Sequence, residues 1–425
     1  MRGRAFAWAL YDFANSAFPT VISTFVIAAY FTRAIAPDPA TGQAQWGWMQ
    51  MVAGIGIALA SPVLGAVADA GGRRRLLLGL CTAVLVLAVA GIWFARPRPE
   101  DAAWALGCVA VATVAFELGT VFYNAMLPQV APPDRLGRVS GLAWGLGYAG
   151  GLLCLVLCLA LVRADPPPFG LDRAAAEPVR ATALLTAGWI ALFGWPVLLA
   201  LPRGDAPLRG WREAARAGLA ETAALLRQLP RHPALARFLL ARLFYTDGLN
   251  TLFAFGAIYA AGVFGMGIEE ILVFGIALNA TSGLGAAGFG LVEDRLGSRR
   301  TVLVALLALI ALGAGLLLAE SKGAFWALAL ALGLFIGPAQ AASRTLMARL
   351  APPAEMTAHF GLFALSGRVT GFVGPAVLAA VTQATGSQRA GMATILLFLA
   401  MGCAILLGVR ETMEMRNVTR SAPLQ

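Results

Sequence analysis

Charge is scarce in this sequence. Only 13% of its 425 residues are Asp, Glu, Lys or Arg, where a soluble domain carries about 25%. Lysine is nearly missing: Lys322 stands alone, and the other basic residues are all arginine. Histidine occurs only as His232 and His359, each read as a surface or capping residue. No His-Glu-x-x-His and no Gly-x-Ser-x-Gly is present, so the usual sequence grounds for a metal-dependent or serine hydrolase are missing and the chain is not read as an enzyme. The five cysteines (Cys81, Cys108, Cys154, Cys158 and Cys403) all lie inside apolar runs. Cys154 and Cys158 share a helix face but lack histidine or acidic companions, so they read as packing residues and no metal or cofactor is implied. No cleavable leader is expected, because the first apolar run carries Asp12, Asn15 and Pro19 and has no cleavage site after a short apolar core.

What is abundant is apolar: 59% of the residues are hydrophobic and the mean hydropathy is +0.76. Crossing the hydrocarbon takes roughly 20 apolar residues per helix. Twelve such spans can be drawn, near 8–31, 46–68, 76–95, 102–127, 138–162, 181–201, 235–262, 269–292, 301–319, 323–347, 358–381 and 389–409. The expected fold is therefore all-α and membrane-embedded. An even number of spans puts both termini on one side. Segments on that side carry 21 basic residues against 8 on the other, and Arg242, Arg344 and Arg368 remain within spans. The excess predicts cytoplasmic termini. The formal net charge of +10 is spread between apolar runs rather than gathered in one patch, so the bilayer and not nucleic acid is the expected partner.

Pro202–Pro233 is the longest polar connection and separates six spans from six. The reading is a half over 1–201, a linker over 202–234, a second half over 235–410 and a tail over 411–425. Within the linker, Trp211, Ala215, Leu219, Thr222, Leu226 and Leu229 recur at three- and four-residue steps. That predicts an amphipathic helix on the cytoplasmic membrane surface, serving as a tether.

The second and third spans are joined by Gly65–Arg75, with Gly65, Asp69, Gly72, Arg73 and Arg74 in fixed spacing. The spacing returns 225 residues later as Gly290, Asp294 and Gly297, followed by Arg299 and Arg300. Two copies in two apolar halves form a specific signal. They resemble the loops between helices 2 and 3 and between helices 8 and 9 of the major facilitator superfamily. At an offset of 220, Ala131-Pro132-Pro133 matches Ala351-Pro352-Pro353, and Gly141, Gly147 and Gly151 match Gly361, Gly367 and Gly371. Small residues at such intervals let helices approach closely. Asp12-x-x-Asn15 after Tyr11 in the first span also has a counterpart in the seventh, Asp247-x-x-Asn250.

Trp8–Phe18 and Phe122–Pro128, the latter continuing to Gly141, are similar to one branch of that superfamily: the autophagy-related vacuolar amino-acid effluxers of fungi and their bacterial relatives. The resemblance covers nearly the whole chain. It implies twelve helices in two pseudo-symmetric six-helix halves, acting as a monomer, with a bacterial inner membrane as the expected setting. The superfamily's antiporter motif is absent from Gly145–Gly151, which holds no proline, and Gly371–Pro375 echoes it in part.

Ionisable groups are costly within hydrocarbon and so mark sites. Asp12 and Asn15 sit within one turn of a carbonyl that Pro19 leaves without its helical donor. In this reading Asp12 either lines the central cavity or caps its helix, and Asp247 either mirrors it with Asn250 or pairs with Arg242. Arg344 lies 220 residues from Asn124, and Arg368 lies 220 from Tyr148. Arginine offers carboxylates a planar fork, although Arg344 is close enough to the membrane surface to snorkel. Glu117 in mid-span suits proton coupling or a structural hydrogen bond. The resemblance implies that Asp69 meets the start of the eleventh span and Asp294 the start of the fifth, closing the cytoplasmic side. The expected activity is alternating-access transport of a small polar or zwitterionic, amino-acid-like solute, coupled to protons. The alternatives are efflux of amphipathic or cationic compounds, or a receptor or lipid-handling role on the same fold.

Overall fold

Backbone groups in hydrocarbon have no water to bond, so a chain this apolar must satisfy them within helices. The computed structural model describes residues 3–200, 211–266, 268–367, 370–371 and 373–409. It is built almost wholly of helices: α1 (Gly3–Asn15), α2 (Pro39–Gly71), α3 (Arg74–Gly91), α4 (Ala102–Ala125), α5 (Leu136–Arg163), α6 (Glu177–Ala200), α7 (Trp211–Gln228), α8 (Pro233–Phe264), α9 (Ile268–Leu296), α10 (Ser298–Leu318), α11 (Lys322–Leu350), α12 (Met356–Ser366), α13 (Val373–Thr385) and α14 (Gln388–Leu407). Ten helical segments among the described residues are long and apolar enough to cross a membrane. With α8 and the α12–α13 pair they make twelve spans, six before α7 and six after it.

Local chemistry sets the ends. Asp38 caps α2 by accepting the Thr41 N–H at 2.9 Å, ahead of Pro39 in the first turn. Gly72 ends α2 at φ +63°, a conformation that favours glycine. In the first span, regular helix stops at Asn15 and π-helix begins at Phe18. Pro19 cannot donate to the Asn15 carbonyl, so the break falls where the missing N–H puts it.

Two seams join the halves. Along one, α2 packs on α12: a Cβ on Gly361 would lie 2.5 Å from the Pro62 Cα, and one on Gly65 would lie 2.8 Å from the Thr357 carbonyl carbon. Along the other, α5 packs on α9: a Cβ on Gly141 would lie 2.7 Å from the Gly290 Cα, and one on Gly290 2.9 Å from the Gly137 carbonyl oxygen. Only glycine permits backbones this close.

The structure departs from the sequence reading in three places. The eleventh span is not continuous: α12 ends at Ser366 and α13 begins at Val373, because α8 takes the backbone groups on either side of the break. The linker helix, expected on the membrane surface, is also tied to the protein. It docks on α2 through Ala214, Gly218 and Thr222, and the Thr222 hydroxyl donates to the Gly218 carbonyl at 2.8 Å and, more weakly, to the Pro62 carbonyl at 3.4 Å. The small residues face the protein, and Leu219 and Leu226 of the expected stripe stay exposed. His359 is buried in the first turn of α12, with Nδ1 2.8 Å from the Glu355 carbonyl.

Close helix approach gives a direct stability test. A methyl on Gly150 would meet the Phe13 backbone, at 2.7 Å from its carbonyl carbon, whereas one on Gly107 meets nothing within 4 Å. Gly150→Ala should cost about 1–3 kcal/mol through overpacking, lowering the thermal unfolding midpoint in detergent. Gly107→Ala should not lower it. Equal midpoints for the two variants would refute this account of the α1–α5 contact.

Candidate functional site

Arg344 projects from α11 of the second half into the first half. Its Nη1 donates to Asp12 Oδ2 at 2.9 Å and to Asn124 Oδ1 at 3.4 Å. Nε donates to the Ser140 hydroxyl at 2.9 Å and Nη2 to the Ser140 carbonyl at 2.8 Å. The guanidinium carbon lies 4.8 Å from the Trp8 ring centre, 5.7 Å from Trp144 and 5.8 Å from Tyr123. Every one of these partners belongs to α1, α4 or α5. The side chain of Arg344 is 3% exposed and that of Asp12 18%. Arg344 therefore does not snorkel; it is an ionic and aromatic bridge between the halves. Burying a guanidinium is tolerable only when its donors are filled and its charge is opposed, and aromatic faces add cation–π attraction.

The aromatic wall is itself fixed. Trp8 stacks on Tyr123 at 4.4 Å. The Trp8 indole N–H donates to the Tyr123 carbonyl, and the Tyr123 hydroxyl donates to the Trp8 carbonyl, both at 3.0 Å. Tyr11 stacks on Tyr123 at 4.9 Å and shares a 2.9 Å hydrogen bond with Thr82, so it braces the wall. Asn15 is buried, and its Oδ1 has no hydrogen-bond partner among the described residues. Further along the seam, the Ser140 hydroxyl donates to the Ala341 carbonyl at 3.0 Å, and Tyr148 donates to Gln340 Oε1 at 3.3 Å.

Beside this bridge lies a cavity of about 640 Å³, lined from both halves. Ser16, Thr20, Trp144 and Tyr148 come from the first half, and Asn250, Tyr259 and Asn279 from the second. Phe25, Phe253, Phe274 and Phe325 make most of the wall apolar. The volume suits one small organic molecule. The cavity runs toward the C-terminal ends of α8 and α10 and the N-terminal ends of α9, α11 and α14. Those ends are the ones remote from the arginine-bearing turns. Its described lining carries no charged side chain. The sequence reading put acids and arginines together around one cavity; instead, Asp12 and Arg344 lie one turn below Ser16, and Asp247 is elsewhere.

Asp247 and Arg242 do not pair with each other. Arg242 stacks on Phe363 with its guanidinium carbon 3.5 Å from the ring centre, and donates to the Ser366 hydroxyl at 2.9 Å and to the Phe363 carbonyl. Asp247 Oδ2 accepts the Gly374 N–H at 3.0 Å, and the residue is buried. A cation thus meets the C-terminal end of α12 and an acid the N-terminal end of α13, each matched to the local helix dipole. Arg368 falls between these helices, outside the described residues. Glu117 is half-buried in α4, two turns before Asn124, and does not line the cavity.

At the turns, Asp69 Oδ2 accepts the N–H groups of Thr357 and Ala358 at 2.9 Å each, opening α12. Its Oδ1 holds Arg74 at 2.6 Å. Asp294 Oδ1 accepts the Gly137 N–H at 2.9 Å, and its Oδ2 accepts that of Arg138 at 3.2 Å, opening α5. The basic residues are less symmetric: Arg299 donates to the Leu406 and Leu407 carbonyls at the end of α14, and Arg300 is exposed. Arg73 precedes α3, and Gly297, at φ +87°, precedes α10. The sequence reading missed Trp8, Trp144, Ser140, Gln340 and Asn279. For Asn279 the available signal was an amide in the middle of an apolar run; Ser140 and Gln340 gave none.

Comparison with known proteins fits this geometry. The profile of a family described as "Vacuole effluxer Atg22 like" matches residues 134–419. The chain is 25% identical over 413 residues to an uncharacterized MFS-type transporter, YxiO, of Bacillus subtilis, covering 95% of this chain and 94% of that one. It is 28% identical to autophagy-related protein 22 of Cryptococcus neoformans, over 67% of this chain and 55% of that protein. Among solved structures, the proton:xylose symporter XylE superposes with a TM-score of 0.71 at 12% identity, covering 98% of both chains. The human organic anion transporter MFSD10 gives 0.70 at 18%, covering 95% of this chain and 99% of that one. The protein is an integral membrane transporter and not an enzyme, and it belongs to the Atg22-like branch of the major facilitator superfamily.

Proposed function

We propose that this protein moves a small zwitterionic, amino-acid-like solute by alternating access, with the arginine-bearing turns on the cytoplasmic side and a proton as the coupling ion. The observation that carries this reading is a cavity of about 640 Å³ between the halves, with the Asp12–Arg344 ion pair that links them lying one turn below its Ser16 wall. That pair is an internal stand-in for a zwitterion. A solute carboxylate can take the Arg344 fork while its ammonium takes Asp12, and its apolar body rests on the phenylalanine wall. Exchanging partners in this way releases the two halves from one another without leaving either charge unpaired.

A proton on Asp12 would weaken the same bridge. Removing one partner of a buried pair costs roughly 3–5 kcal/mol, enough to shift a two-state equilibrium by more than a hundredfold. Glu117 and Asp247 are further acids within spans that this reading assigns to the coupling path, and Arg368 is a further candidate for the solute carboxylate. Asp69 and Asp294 hold the cytoplasmic side shut while the cavity faces outward, so the geometry corresponds to an outward-facing state. The apolar, uncharged wall favours a second reading, efflux of amphipathic compounds, in which only Asp12 meets a solute cation.

Flux assays in proteoliposomes separate these. Under the leading reading, a panel of amino acids should show pH-driven uptake or exchange. Asp12→Asn and Arg344→Lys should each reduce it by at least tenfold while the protein still purifies as a single species. Transport of lipophilic cations alone, insensitive to Arg344→Lys, would replace the leading reading with the second. Unfolding gives an independent measure: in a double-mutant cycle, Asp12→Asn and Arg344→Gln should couple by about 1–3 kcal/mol. Additive effects would mean that the bridge contributes nothing to joining the halves.

The gate makes its own prediction. Asp69→Asn and Asp294→Asn each remove a carboxylate from a helix N-terminus, a contact made only when the cytoplasmic side is closed. Each should raise the alkylation rate of a cysteine placed at buried Met126 several-fold, on a background without native cysteines. Unchanged rates in both variants would show that these acids do not gate.

A further inference from the structure

The two arginine turns differ in one buried position. The residue before Asp69 is Ala68, whereas the residue before Asp294 is Glu293, and both are shut away from solvent, at 0% and 1% exposure. Glu293 Oε1 accepts the Ser298 hydroxyl at 2.6 Å. The other half covers it. A Cβ on Gly137 would lie 2.8 Å from both the Cβ and the Cδ of Glu293, so the backbone of α5 is pressed onto the carboxyl group.

The groups around it are largely committed elsewhere. On its own helix, Asp294 is taken by the Gly137 and Arg138 N–H groups, and Arg295 is exposed. From α5, the Arg138 guanidinium lies 3.9 Å from Asp294. From α10, Ser298 donates as described, Arg299 is held by carbonyls of α14, and Arg300 points to solvent. From α11, Thr345 and Arg349 face it, and deeper along that helix Arg344 belongs to Asp12. Among the described residues no cation reaches Glu293 within ion-pair distance.

A carboxyl group sealed in this way keeps its proton more readily than one in water. Water reaches it only if α5 withdraws from α9. We propose that Glu293 is a proton-binding site of the gate: it takes a proton from water as the side bearing the arginine turns closes, and returns it there when the α5–α9 seam parts. The inference rests on the alternating-access reading; because the proton is taken up and returned on the same side, it makes closure depend on pH without carrying a proton across the membrane. The sign follows from linkage. The closed state binds the proton more tightly, so acid favours closure, and opening grows as the pH rises through the closed-state value.

Spin labels at Gln129 and Ala354, exposed on the connections leading into α5 and α12, would report the separation of the halves by double electron–electron resonance. The background is the full chain with Cys81, Cys108, Cys154, Cys158 and Cys403 replaced. The parent should shift from short to long distances as pH is raised. Glu293→Gln should abolish that response and hold the short distance. Ser298→Ala, which removes the donor that stabilises the ionised form, should move the midpoint to higher pH. An undiminished response in Glu293→Gln overturns the proposal, as does an unmoved midpoint in Ser298→Ala. A parent that ignores pH while Asp294→Asn still lengthens the distance also overturns it, leaving alternating access standing. If neither pH nor Asp294→Asn moves the distance, it is the alternating-access reading that fails.

Discussion

A buried guanidinium cannot be left half satisfied, and that constraint organises this protein. Arg344 sits on one half while its carboxylate, amide, hydroxyl and carbonyl acceptors sit on the other. Parting the halves at this depth strips the arginine of every partner unless a solute or water replaces them. The cost of an unpaired buried charge amounts to several kcal/mol, comparable to the total stability of many domains. The bridge therefore makes the conformational equilibrium responsive to whatever enters beside it. The aromatic wall of Trp8, Tyr123 and Trp144 keeps water from relieving that demand.

The glycine seams supply the complementary property. Helices that touch through glycine have no side chains to disengage when they part, so the contact is close yet released without rotamer rearrangement. At the arginine-turn side, each seam ends in a carboxylate placed on helix N–H groups: Asp69 on Thr357 and Ala358, Asp294 on Gly137 and Arg138. Such contacts exist only while the seam is shut. Directional bonds and close glycine packing thus hold one side, a single ion pair holds the middle, and the remaining side is open as a cavity.

Much of this was legible in the sequence, for physical reasons. The twelve spans followed from run length, because hydrocarbon thickness sets the number of apolar residues. The freed carbonyl of Asn15 followed from the missing proline N–H, while the π-helical turn beyond it gave no signal. The spacing of Asp69 and Asp294 pointed to two equivalent turns because the halves are repeats. Other features depended on tertiary partners that no periodicity reports. Span 11 splits because Arg242 and Asp247 on α8 take its free backbone ends, and a hydropathy pattern does not carry that information. The linker's stripe did not report the docking face, because Gly218 and Ala214 dock by being small, while the larger Leu219 and Leu226 look outward. The pairing of Asp12 with Asp247 as twin site residues followed the repeat, but the two aspartates have separate partners, Arg344 for one and Gly374 for the other.

That divergence is where the repeat becomes a machine with a direction. Equivalent positions hold Asn124 and Arg344, so one half supplies an acceptor where the other supplies the cation it binds. Equivalent positions also hold Ala68 and Glu293, so one seam closes over a methyl group and the other over an acid. A strictly symmetric pair of halves would carry neither difference. Placing Arg344 in the second half and its acceptors in the first makes the bridge one-directional. The divergence also sets a carboxyl group inside one seam at the position where the other has a methyl group.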